Sequence, residues 1–291
     1  MEDTPMDKPI LIAEIGCNHK GDMKIAREMI KVAANFCNVD VIKFQKRTPR
    51  ELLSDEEYNA PHPNSYHSYG STYGEHREYL ELDIEQHMQL KKWCEEEGVV
   101  YSTSVWDLTA AKQVVQLDPM MIKVPSACNL KSDMLEYLCE AYRGEIHVSC
   151  GMTTKDEEEQ IVQFFETKNR AKDLVIYSCT SGYPVDFEDI CLFEIIRLKN
   201  AFTDRVKAVG FSGHHLGIAA DIAAMTLGAQ YIERHYTLDR TWKGTDHAAS
   251  LEPDGLRRLS RDLYNVSLAL NYKNQDILEI EKVQRNKLKR F

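Results

Sequence analysis

Short apolar runs recur along this chain, and between them lie stretches whose apolar positions repeat with helical spacing. The runs fall at 10–16, 39–45, 99–104, 121–126, 145–151, 174–180, 208–214 and 231–237. The helical patterns fall at 23–35, 84–97, 107–117, 132–142, 155–167, 188–200, 217–227 and 254–270. Near-continuous apolar strands alternating with helices predict a parallel sheet covered on its outer face. Eight such repeats predict one closed α/β unit, a (β/α)8 TIM barrel over residues 1–270. The structural rival is a doubly wound open sheet. It calls for a glycine-rich turn after the first strand, which AEIGCNH at 13–19 does not supply.

Two segments interrupt the pattern. The connection 46–83 is far longer than a usual strand-to-helix link. It carries Tyr58, Tyr66, Tyr69, Tyr73 and Tyr79 with His62, His67 and His76. A lid or substrate-recognition loop is expected there, with a packed insertion as the alternative. The tail 271–291 has a helical pattern and a basic end at Lys287, Lys289 and Arg290. It is expected to close the barrel or to touch a partner subunit.

Composition narrows the class. At 291 residues, 43% hydrophobic and 28% charged, the chain can build a substantial core and is not a disordered polymer. No apolar run is long enough for a membrane span, and the polar, acidic stretch 1–9 is unlike a secretory signal. A formal charge of −10 argues against nucleic acid or an anionic membrane as partner. The eight cysteines include no C-x-x-C pair, which fits reduced thiols in a cytoplasmic protein.

Barrel chemistry sits at the C-terminal ends of the strands, and every expected strand delivers polar groups there. They include Glu14, Lys43, Gln45, Thr103, Lys123, Ser126, Ser149, Ser181, Tyr183, Ser212, His214, Glu233 and His235. Period two puts Lys43 with Gln45, Ser212 with His214, and Glu233 with His235 on shared faces. Lysines beside hydroxyls suit a phosphate or a carboxylate. Two imidazoles on neighbouring strands suit a divalent ion with open positions for water and substrate. Singly, each has a plainer reading: a strand-end lysine in a rim ion pair, or a histidine satisfied in the core. That plainer reading is kept for His147, His215 and His247.

The ordered motifs AEIGCNHKGD (13–22), IKFQ (42–45), KVPSA (123–127), SCGM (149–152), CTSGYP (179–184), VGFSGHH (209–215), ERHYT (233–237) and KGTDHAAS (243–250) resemble the sialic acid synthase family. That resemblance covers residues 8–265. It implies condensation of phosphoenolpyruvate with an aldose, giving a 3-deoxy-2-ulosonic acid and phosphate. It also implies that Lys43, Thr103, Lys123, Ser126, Ser149 and Ser212 hold phosphoenolpyruvate, with Ser181 where relatives carry Asn or Ser. His214 and His235 would bind the metal, most often Mn2+ in the family. Glu14, Gln45, Tyr183, Glu233 and Asp246 would line the sugar and metal site. A homodimer is expected on the same ground.

The chain departs from the family twice. An acidic residue usually follows the KVPSA-type serine, but here Ala127, Cys128 and Asn129 follow Ser126. Glu14, Asp246 or Glu75 of the long connection are the candidates for its role. The family's usual small antifreeze-like domain after the barrel also has no counterpart before Phe291. Together these lead to an expectation that the aldose is not N-acetylmannosamine. Two alternatives stand beside it. One is a synthase for a phosphorylated aldose of the octulosonate-phosphate kind, with Lys46, Arg47 and Arg50 as phosphate cations. The other is a non-catalytic ligand-binding relative.

Overall fold

The computed structural model describes residues 7–290; most of the polar start of the chain, residues 1–6, lies outside them. Eight parallel strands close on themselves: β1 (Ile10–Gly16), β2 (Val41–Lys46), β3 (Val100–Val105), β4 (Met121–Val124), β5 (Glu145–Ser149), β6 (Leu174–Cys179), β7 (Ala208–Gly213) and β8 (Tyr231–His235). Each pairs with the next, and β8 pairs with β1 through Ile10–Tyr231 to Glu14–His235. The TIM barrel expected from the apolar pattern is therefore the fold.

The chain runs on from β1 through α1 (Met23–Asn35), which buries Met29, Ile30 and three alanines against the sheet. The 46–83 connection holds α2 (Pro49–Leu52), α3 (Asp55–Asn59) and α4 (Tyr73–Leu80). The ring of helices continues with α5 (Ile84–Glu96), α6 (Leu108–Val115), α7 (Ser132–Ala141) and α8 (Lys155–Thr167). It is completed by α9 (Phe193–Phe202), α10 (Ala219–Thr226) and α11 (Pro253–Ala269), followed by α12 (Glu279–Leu288) in the tail. None of these helices is long and apolar enough to cross a membrane.

Local chemistry sets several boundaries. Asp22, Asp83, Asp107 and Thr154 cap their helices by accepting backbone N–H groups of the first turn. Helix α9 starts at Phe193, later than its apolar pattern suggests. A tight turn at Phe187–Asp189 and a left-handed Cys191 (φ 53°) interrupt the chain first.

Alternation along the strands divides the core in two. Outward side chains such as Leu11, Ile42, Phe44, Ile122 and Val148 pack beneath the helices. Inward ones, Ile12, Val41, Met121, Val175, Tyr177, Ala208 and Tyr231, fill the lower barrel. Above this plug the inward positions become polar. At the end of β1, Gly16 adopts φ 56° where the register slips, and a Cβ there would lie 2.9 Å from the Gln45 amide nitrogen.

The 46–83 connection is a packed structure seated over the barrel mouth. The Tyr69 hydroxyl donates to the Lys243 carbonyl at 2.6 Å, and Gly244 N–H donates to His67 Nδ1 at 3.1 Å. The Tyr69 ring stacks on Tyr79 at 4.9 Å, with the planes only 8° apart.

Candidate active site

Two lysines and two carboxylates occupy the top of the barrel interior. Lys43 Nζ lies 2.5 Å from Glu14 Oε2, 3.7 Å from Glu233 Oε1 and donates to Ser104 Oγ at 2.8 Å. Lys123 Nζ donates to Glu233 Oε2 at 2.8 Å and sits 3.6 Å above the centre of the Tyr177 ring. Ser212 donates to Glu233 Oε1 at 3.2 Å, and the Gln45 amide to Glu14 Oε1 at 2.7 Å. All these side chains are buried. Burial alone would raise the Glu233 carboxyl, but Lys123 and Lys43 hold it well below the usual carboxylate range. Each lysine of the cluster is thus matched by a carboxylate.

Hydroxyls gather beside it. Ser126 Oγ accepts from Gly151 N–H at 2.9 Å. A Cβ on Gly151 would clash with both the Ser181 and the Ser126 hydroxyl, lying 2.8 Å from the second, so the glycine is what lets these two converge. Ser149 lies buried on the inward face of β5, and its carbonyl accepts from the Asn129 amide at 2.9 Å.

The paired imidazoles also meet. The His214 and His235 rings are 5.5 Å apart, and Tyr183 lies 4.3 Å from the first and 5.8 Å from the second. His214 Nδ1 bonds to the Thr180 carbonyl at 2.9 Å, so it carries the proton and Nε2 keeps its lone pair. Burial, with His235 beside it, lowers the His214 pKa to about 3 and keeps the ring neutral. His235 Nδ1 is buried without a hydrogen-bond partner. A neutral imidazole with a free lone pair and an orphaned buried nitrogen together fit a divalent ion. Among the described residues no group of three or more His, Cys, Asp or Glu completes a coordination shell, so water and substrate would have to fill it. Burial raises the Asp246 carboxyl, yet His235 and Arg47 more than offset this and leave it lowered.

Several expectations need correction. Thr103 is buried on the outward face of β3, opposite Phe44 and Ile122, so it does not line the interior. Its neighbour Ser104 points inward and bonds Lys43. Glu75 is spent on the start of α4, accepting N–H groups of Ser71 and Thr72, and does not replace the missing acid. The turn after Ser126 supplies no carboxylate: Cys128 is buried and Asn129 bonds Ser149 and Thr153. Lys46, Arg47 and Arg50 do not cluster. Lys46 donates to the Arg47 carbonyl, while the exposed Arg50 stacks on Tyr58 at 3.4 Å and pairs with Glu78. His147, His215 and His247 each have a structural partner, as expected of core histidines.

Arg47 was missed as a residue of the site itself. It reaches Cys17 Sγ at 3.2 Å, donates to the side-chain amide oxygen of Gln45, lies 3.7 Å from Glu81 and covers the Trp106 ring at 4.2 Å. The signal was present, since 43, 45 and 47 continue one period-two face. Burial pushes the Cys17 thiol up to about 11 despite Arg47, so it stays protonated near neutral pH.

Comparison with known proteins converges on one group. The NeuB family model matches residues 29–275. Over 278 residues the chain is 37% identical to N-acetylneuraminate-9-phosphate synthase of Homo sapiens, covering 96% of this chain and 76% of that protein. It is 31% identical over 267 residues to N,N'-diacetyllegionaminic acid synthase of Campylobacter jejuni, covering 91% and 78%. Among solved structures, an N-acetylneuraminic acid synthetase from Leptospira borgpetersenii superposes with a TM-score of 0.81 at 25% identity, over 98% of this chain and 94% of that one.

Proposed function

The chain belongs to the NeuB family, whose named relatives are synthases of sialic and related acids, and from that premise we propose that it condenses phosphoenolpyruvate with an aldose. The observation that carries this reading is the pair Lys43 and Lys123 at the barrel top. Each is buried and charge-matched; Ser104 bonds Lys43, Ser212 bonds the shared Glu233, and the hydroxyls of Ser126 and Ser181 converge at Gly151. A phosphate and a carboxylate would take over the lysines from Glu14 and Glu233, while neutral donors fill the remaining lone pairs.

The proposed reaction follows from that placement. Lys43, Lys123 and the hydroxyls hold phosphoenolpyruvate so that its carbon 3 faces the aldehyde of the open-chain sugar. The electron pair of the carbon 2–carbon 3 double bond makes the new C–C bond, the aldehyde C=O π pair moves onto its oxygen as an alkoxide, and positive charge is left at carbon 2. Water adds there, and the tetrahedral intermediate expels phosphate, whose growing charge the two lysines stabilise. Glu14 and Glu233, once released from their lysines, take the proton of that water and pass it to the alkoxide oxygen formed from the aldehyde. His214 and His235 would hold a divalent ion, with Mn2+ the expected one, which when bound polarises the aldehyde oxygen. Asp246 and Tyr183, beside the histidines, receive the sugar hydroxyls.

A specific observation favours a phosphorylated aldose. The site has no carboxylate after Ser126, whereas its mouth carries two cations on aromatic partners. Lys243 lies over Tyr69 at 4.6 Å, and Arg77 is hydrogen-bonded to the Tyr73 hydroxyl. The human relative is named for a phosphorylated product. The test is phosphate release with manganese present, over aldoses with and without a terminal phosphate. We expect turnover with a phosphorylated aldose. Best turnover on free N-acetylmannosamine would overturn the substrate assignment. No release with any aldose would favour the non-catalytic relative.

A further inference from the structure

Beneath the lysine cluster the barrel is not filled by hydrocarbon alone. Glu145 and His147 share the inward face of β5, and Tyr177 lies beside them on β6. The three are hydrogen-bonded in series. His147 Nε2 lies 3.0 Å from Glu145 Oε2, and His147 Nδ1 lies 2.8 Å from the Tyr177 hydroxyl. The far end of the chain is anchored at the barrel floor, where Tyr231 donates to Glu145 at 2.9 Å and Lys207 pairs with it at 2.8 Å. The near end is the Tyr177 ring, on whose face the Lys123 ammonium rests.

The protonation states follow from the partners. Burial would raise the Glu145 carboxyl, but hydrogen bonds from His147 and Lys207 bring it down to about 2, so it is ionised and accepts. His147 therefore carries its single proton on Nε2, and Nδ1 accepts from Tyr177. Burial keeps that ring neutral. A phenol that donates to a basic nitrogen gains electron density on its oxygen and ring. Its face then offers a more negative seat to a cation.

Val175, Ile12, Val41 and Met121 surround this column, and further apolar side chains could have filled it without desolvating polar groups. Tyr177 and His147 are essentially inaccessible. A polar chain in such a place, ending on the ammonium of a site lysine, calls for a role other than packing. We propose that Glu145, His147 and Tyr177 form a positioning relay that seats and orients Lys123 for the anionic substrate. The proposal rests on the synthase reading above, with Lys123 as a phosphoenolpyruvate contact. The three residues touch no reacting atom; they act through Lys123.

Tyr177→Phe keeps the ring and removes the hydroxyl, while His147→Leu breaks the series at its centre. His147→Gln can still donate to Glu145 and accept from Tyr177. Steady-state kinetics with phosphoenolpyruvate varied would separate these cases, alongside thermal shift with phosphoenolpyruvate alone. Tyr177→Phe and His147→Leu should each raise KM for phosphoenolpyruvate by about fivefold with kcat nearly unchanged, the pattern of a lost binding interaction. The double variant should be no worse than either single one, and His147→Gln should return KM close to that of the unaltered protein.

Should His147→Leu fail to fold, Tyr177→Phe, which loses one oxygen, still reports. Normal KM in Tyr177→Phe would overturn the relay while leaving the synthase reading intact. So would additive losses in the double variant, or failure of His147→Gln to rescue. If the unaltered protein were neither stabilised by phosphoenolpyruvate nor active with any aldose, the synthase reading would fall and the relay with it.

Discussion

Lys43 and Lys123 are held in the barrel by Glu14 and Glu233, so an anion entering the site meets ammonium groups already placed and dehydrated. Truncating a group that serves the anion should be felt in substrate binding, whereas truncating its outward neighbour should not. Ser104→Ala should therefore raise KM for phosphoenolpyruvate by about three- to tenfold, the worth of one hydrogen bond to a charged group. Thr103→Val should leave that KM unchanged and affect only stability. Equal kinetic effects from the two would refute the assignment of faces. For the histidines, His235→Ala should abolish tight manganese uptake, measured as bound metal after dialysis, because one imidazole is a poor anchor. The outcome at 103 and 104 explains how far the site was legible. Residue types and strand ends were visible, but facing requires the strand register, and the STS run gave no apolar alternation to set it. For Arg47 the period-two face of 43 and 45 pointed the right way, but it lies one residue past the end of β2, and the Glu81, Cys17 and Trp106 contacts that hold it are remote in sequence.

At the scale of elements, the strands and the helices around them follow apolar periodicity closely, and α1 and α8 occupy the spans their patterns predict. Departures arise where backbone conformation overrides pattern, as at Cys191 before α9. The 46–83 connection was opaque for another reason. Its helices are too short to show a period, and its order comes from ties to the distant 243–244 segment. Tyr69→Phe removes one such tie, so limited proteolysis within 46–83 should be faster in that variant. An unchanged cleavage rate would show that the stacked rings alone seat the loop. Between β8 and α10 a different device operates. Arg234 is fully buried and bonds Asp221, His215 Nε2 and the carbonyls of His215 and Gly217. Asp221→Ala leaves that guanidinium uncompensated and should cost roughly 3–5 kcal/mol, visible as a lowered denaturant midpoint. A loss below about 1 kcal/mol would mean that the carbonyls alone satisfy Arg234.

For the molecule as a whole, the −10 charge describes the exterior and says little about the interior, where cations and carboxylates are matched in pairs. Buried histidines give a clearer global handle. Burial lowers His19, His76 and His247 to about 4 and His87 to about 3. An unfolded chain binds protons at these rings below about pH 6.5, while the folded one resists until about pH 4, so stability must fall as pH is lowered through that window. The melting temperature should drop steadily between pH 7 and pH 4.5, before most carboxylates protonate. A flat profile there would show that these rings are accessible to protons in the native state. The closed barrel has a consequence of another kind. β1 is complete within the first 16 residues, yet it pairs with β8, and Asn18 bonds the Tyr236 carbonyl 218 residues later. At synthesis rates of roughly 5–20 residues per second, the first strand waits some 10–40 s on the ribosome for its second neighbour. Until β8 emerges, the growing sheet has two open edges. Closure is thus the step at which a nascent chain ceases to be a target for edge pairing and becomes a finished molecule.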